Sequence, residues 1–121
     1  MSEVTESILL SIKKMLGLDQ SYEVFDPELV IYINGVFGTL HQLGVGPSEQ
    51  YRIADKNNLW VEFTTDGKQL DEVKTYVYLS VRLLFDPPSS SFVLSSFKEQ
   101  LQELEWRLNV KADEVRGATN V

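Results

Sequence analysis

The sequence predicts an all-α protein, a small bundle of four main helices with a long loop between the second and third and a flexible C-terminal arm. Two observations lead there. Apolar residues recur at helical spacing in four separate stretches, and glycine or proline stands at the ends of those stretches. The length of 121 residues, with 43% hydrophobic and 24% charged residues, suits one soluble domain. The expected organisation is a helical domain over residues 1–110 and a flexible arm over residues 111–121.

The first helix is expected from about Glu3 to Leu16, because Ile8, Leu9, Ile12 and Leu16 fall on one face and Gly17 follows. Glu3 and Glu6 near its start and Lys13 and Lys14 near its end complement the helix dipole. A loop, "GLDQSYEVF", leads to the second helix. There Asp26 suits the N-cap, Pro27 the first helical position, and Phe25 a staple onto Val30. The helix continues through Ile33, Phe37 and Leu40 to a stop at Gly44. Gly35 and Gly38 each cost about 1 kcal/mol relative to Ala in such a helix. They share a face with Ile31 and Gln42, so the close approach of another helix, from this chain or a neighbour, is expected there.

From Val45 to Asp66 the helical period is lost. The segment reads as a long loop with a short strand near Arg52 and one turn near Trp60, which Trp60 and Phe63 pack against the bundle. Asp66 and Gln69 form a variant capping box for the third helix, which runs to about Leu84. Its middle, "YVYLSVRLLF", is apolar around most of its circumference, so it is either the central helix of the bundle or is covered on a second face by another subunit. Pro87 and Pro88 end it, and Ser89, Ser90 and Ser91 offer the next N-cap. Leu94, Phe97, Leu101, Leu104 and Leu108 then carry a fourth helix to about Val110, with Glu103 and Arg107 as an i,i+4 pair.

Catalysis finds little support in these residues. Cysteine is absent, which removes disulfides, thiol nucleophiles and thiolate metal sites. His41 is the single histidine and reads as a helix-surface or core-edge residue rather than a metal ligand. Asp26 and Asp86 recur in the tripeptide Phe-Asp-Pro, where capping and turn formation explain both without an acid–base pair. No metal, no cofactor and no enzymatic activity are expected. Of the aromatic residues, Trp60, Tyr76 and Trp106 are expected in the core, whereas Tyr78, off the Val73/Val77/Val81 stripe, suits an interface between subunits equally well. The net charge of −7, from 18 acids against 11 bases, disfavours DNA binding. The start, "MSEVTES", has acids where a secretory signal carries bases, and no stretch is apolar enough to cross a bilayer, so an intracellular protein without a membrane partner is expected.

"ESILLSIKKMLGL", "INGVFGTLHQLGVGP", "YRIADKNNLWVEF", "TYVYLSVRLLFDPP" and "ELEWRLNV" together resemble the head-tail connector family of tailed phages and prophages, in order from Glu6 to Val110. The resemblance implies a non-enzymatic dodecameric ring at the virion neck, assembled in the host cytoplasm. Such a ring docks beneath the portal protein and extends the channel, through which DNA slides past acids without sequence-specific binding, to a downstream connector or tail-completion protein. It implies portal contact by Arg107, Asn109, Val110 and Lys111 and a tail-side or lumen role for Tyr51, Arg52, Asp55 and Lys56. Ile31, Gly35, Gly38, Tyr78 and Arg82 are the expected subunit-interface residues. The alternative is a monomeric or dimeric acidic helical module that regulates a host protein, for example by occupying a basic groove as a DNA mimic.

Overall fold

A computed structural model of the chain describes residues 6–119. Helix α1, Ile8–Met15, begins where the Ser7 side chain accepts the Leu10 amide at 3.2 Å. Glu6, expected inside this helix, lies before it; Glu3 lies outside the described residues. The Glu6 carboxylate sits 3.5 Å from the Lys74 amine, and its carbonyl accepts the Trp60 amide at 3.1 Å. Gly17 follows with φ of 82°, the left-handed conformation that a glycine adopts without strain and that ends the helix.

Lys13 and Lys14 both lie in the last turn of α1, as expected, but Lys13 does more than complement the dipole. Its side chain is fully buried, and its ammonium donates to the carbonyls of Gln20 at 3.0 Å and Tyr22 at 2.6 Å and lies 2.8 Å from the Asp26 carboxylate. The ammonium thus makes two hydrogen bonds to loop carbonyls and one close ion pair with Asp26. The Gln20 amide adds a bond to the Leu10 carbonyl at 2.9 Å, so the α1–α2 loop is folded back over its own helix.

Helix α2, Asp26–Gln42, takes Phe25 as N-cap without a side-chain cap. Asp26 is therefore the first helical residue and not the expected cap; its carboxylate is turned to Lys13, whose buried charge is the stronger demand. Phe25 packs edge-on against Tyr22 at 5.8 Å and Phe85 at 5.1 Å, which brings the beginning of α2 to the end of the third helix. Leu29, Ile33, Phe37 and Leu40 are completely or almost completely buried along the inner face.

Among the described residues the segment near Arg52 is no strand. The single β-like feature among the described residues is an isolated bridge between Ser7 and Leu59. A lone extended stretch has no partner strand, and the backbone of Ile53 is instead paired by a side chain: buried Asn34 of α2 accepts its N–H at 2.7 Å and donates to its carbonyl at 3.0 Å. The expected turn at Trp60 is a 3-10 turn, Trp60–Glu62. Trp60 is fully buried, its indole N–H donates to Ser11 Oγ at 2.8 Å, and with Phe63, Phe37 and half-buried Tyr51 it forms the aromatic part of the core.

Asp66 caps helix α3, Gly67–Phe85, by accepting the amides of Lys68 at 3.0 Å and Gln69 at 3.4 Å. This is the central helix: it packs on α1, α2 and α4, and in its apolar middle only Leu84 is left exposed. Helix α4, Ser91–Thr119, packs on α3 through Leu104 and Leu108, with Phe97 and Leu101 partly buried. It does not end near Val110. The stretch 111–116 contains neither glycine nor proline and consists mostly of good helix formers, so the backbone continues helical after the apolar periodicity stops.

Lys13→Met restores side-chain volume but none of the three donors. Urea titration is expected to show a loss of about 3 kcal/mol, the scale for removing one partner of a buried ion pair. An unchanged midpoint would show that the ammonium contributes nothing to stability.

Candidate functional site

The outer face of α2 is set by geometry. With Leu29, Ile33, Val36 and Phe37 turned inward, Ile31, Gly35 and Gly38 fall on the opposite side, and Ile31 is 69% exposed. Among the described residues no other helix of the chain comes within 4 Å of a Cβ built at either glycine. A Cβ at Gly35 would meet nothing within 4 Å, whereas one at Gly38 would come 3.2 Å from the Gln50 side-chain nitrogen. Gly38 is thus overlaid by a loop residue of the same chain, and Gly35 opens to the surface.

Two hollows meet on this face. One, of about 630 Å³, joins Ile31, Gly35 and Gly38 to Gln50 and Arg52 of the loop. The other, of about 290 Å³, joins Ile31 and Gly35 to Tyr76, Ser80 and Leu84 of α3. The structure therefore brings Arg52, expected at a tail-side or lumen surface, beside the residues expected at the subunit interface. Tyr78 and Arg82 line neither hollow. The Arg82 guanidinium donates to the Tyr78 hydroxyl at 3.3 Å and to the Asp86 carbonyl, and lies 6.0 Å from the centroid of Phe97. It ties the α3–α4 corner together.

The loop residues divide by exposure. Tyr51 stacks edge-on with Phe37 and Phe63 at 5.3 and 5.9 Å, and its hydroxyl donates to the Glu62 carboxylate. Burial, helped by that carboxylate, pushes the Tyr51 phenol well above its usual range. Hydrogen bonds from Tyr51 and Asn58 hold the Glu62 carboxyl below its own. Arg52, Asp55 and Lys56 are exposed, with Asp55 accepting the Asn57 amide at 2.8 Å in a tight turn. Asp55 and Lys56 border a third hollow, of about 360 Å³, with Glu23, Asp26 and Pro27.

On α4, Arg107 is exposed and pairs with Glu103, as expected from their spacing, and more distantly with Glu72 at 3.8 Å. Asn109 holds the fold together, since its amide donates to the carbonyl of Leu43 at 3.2 Å and closes the C-terminal end of α2. Val110 is half-buried. Lys111 is exposed and, with Ala112, borders a hollow of about 460 Å³ against Gly46, Pro47, Thr65 and Gln69. Trp106, expected in the core, is 68% exposed. Its position in the Leu101/Leu104/Leu108 pattern already puts it off the seam, and this is the signal its aromatic character masks.

Asp26 and Asp86 serve Lys13 and Arg82 separately, at 2.8 and 3.8 Å. His41 is exposed at the end of α2. Among the described residues no cluster of three or more His, Asp or Glu side chains could hold a metal ion, and no helix is long and apolar enough to cross a membrane.

A family model described as phage connector protein matches residues 8–115. No curated protein and no solved structure matches the chain.

Two measurements check this surface. Gly35→Ala should raise the stability of the isolated protein by up to about 1 kcal/mol, because the helix gains propensity and the methyl meets nothing; a destabilised variant would mean that this face is closed. The depressed Glu62 carboxyl contributes stability above its unfolded pKa of about 4.3 and loses it as the pH falls through the lower folded value. In Tyr51→Phe that acid-side slope of unfolding free energy should become shallower, and an unchanged slope would remove Tyr51 as its cause.

Proposed function

The chain belongs to the phage connector protein family, and from that premise we propose that it forms a ring between the portal and the tail or next connector component, extending the channel for DNA. Family membership makes it a structural protein that interacts with other proteins of the phage head and tail, and suggests a place at the virion neck. The finer reading adds a dodecamer assembled onto the portal from subunits made in the host cytoplasm.

The observation that carries the ring is the division of the candidate interface. Ile31, Gly35 and Gly38 line hollows that Tyr78 and Arg82 do not. A closed ring joins one patch of each copy to a different patch of the next, so an interface in two separate parts suits it. The portal contact is assigned to α4 from Arg107 through Lys111, with Asn109 fixing the helix to α2 rather than meeting the partner directly. Exposed Trp106 belongs beside Arg107 in that surface, since a large aromatic left in water is a common interface anchor. Arg52, Asp55 and Lys56 supply the tail-side or lumen surface. The net charge of −7 would keep DNA from adhering to the channel wall.

Mixing the purified protein with its cognate portal and imaging the product by electron microscopy tests this. Twelvefold density added beneath the portal is expected. A protein that stays monomeric and ignores the portal would overturn the reading.

A further inference from the structure

We propose that the hollow floored by Gly35 and rimmed by Ile31 and Leu84 receives Phe92 of a second copy of this chain, making the head-to-tail contact of the ring. The inference rests on the ring reading and specifies its contact. Three observations support it.

The hollow is open and apolar at its rim. Ile31 is 69% and Leu84 57% exposed, and no Asp, Glu, Lys or Arg lines the space of about 290 Å³ between them. Glycine leaves its floor clear, with nothing within 4 Å of where a Cβ would stand. Phe92, on the first turn of α4, is 82% exposed, more than any other large hydrophobic residue described. A phenyl ring so placed is a projecting knob without a pocket in its own chain.

Charge selects the occupant. The protein carries a net charge of −7, so two copies repel unless they meet where neither bears charge. No Asp, Glu, Lys or Arg occurs between Glu28 and Glu49, the stretch that holds Ile31 and Gly35, or between Asp86 and Lys98, the stretch that holds Phe92. These are the two longest charge-free stretches of the sequence, and one carries the hollow's floor while the other carries the knob. Trp106, the other prominent exposed aromatic, stands between Glu105 and Arg107 and lacks this property. Knob and floor lie on different helices, so a copy can seat its knob in one neighbour while its hollow receives the knob of another, and addition continues until a ring closes; a reciprocal two-fold exchange would stop at a dimer and give no ladder.

The absence of cysteine makes the test direct. Ile31→Cys/Phe92→Cys, assembled on the portal and treated with a short bis-maleimide, should give a ladder of covalent multimers; either single variant should remain at the monomer position. Rings that form on the portal while the double variant gives no ladder would overturn this contact and leave the ring reading intact. A covalent dimer from Phe92→Cys alone would overturn it by showing a symmetric pairing. No assembly by the unmodified protein would instead remove the ring reading, and the inference with it. Phe92→Asp, at an exposed position, should keep the circular dichroism and melting temperature of the parent and reduce portal-assembled rings at least tenfold. Undiminished assembly would also overturn the proposal.

Discussion

The architecture depends on where one buried ammonium is satisfied. Lys13 has lost all contact with solvent, and its three oxygen partners come from the α1–α2 loop and the first residue of α2. Burying an unpaired charge is prohibitive, so α2 can begin only where Asp26 reaches it. That fixes Phe25 against Phe85, and so sets the start of α2 beside the end of α3. The hollow between Ile31 and Leu84 is a consequence of this alignment.

The long non-helical excursion meets the same requirement with neutral groups. Asn34 takes the place of a neighbouring strand for Ile53, and Ser11 receives the indole N–H of Trp60. Both polar side chains arise from inward positions of helices, where they would be costly without partners. With the excursion tied to α1 and α2 and its aromatic residues packed on Phe37, its charged residues Arg52, Asp55 and Lys56 are left outward. Order within the loop and availability at its surface therefore have one cause.

A subunit of a connector needs both internal sufficiency and unsatisfied surface. The apolar middle of α3 is accommodated almost entirely inside the chain, and Leu84 is its one exposed remainder. The surplus lies instead on Ile31, Leu84, Phe92 and Trp106 of three helices and on Tyr22 and Val24 of the α1–α2 loop. Acidic net charge keeps such a subunit soluble and discourages self-association wherever charge is present.

Helix identity and most helix ends were legible in the sequence because they follow from neighbours a few residues away: the Leu101/Leu104/Leu108 spacing, the Asp66 cap, the stop at Pro87 and the Glu103–Arg107 pair. The resemblance to connectors was also legible, since it rests on the order of short segments. What tertiary structure alone decided is the occupation of individual groups. Lys13 looks like a base serving the helix dipole, Asp26 like a cap, Tyr51 like a loop residue and Asn109 like a portal contact, yet each is committed to a partner from another element. The candidate interface divided for the same reason: Gly35 and Tyr78 are assigned to faces by packing among α2, α3 and α4. Local periodicity reports which side of a helix avoids water; which atom meets it there depends on chain folded back from far along the sequence.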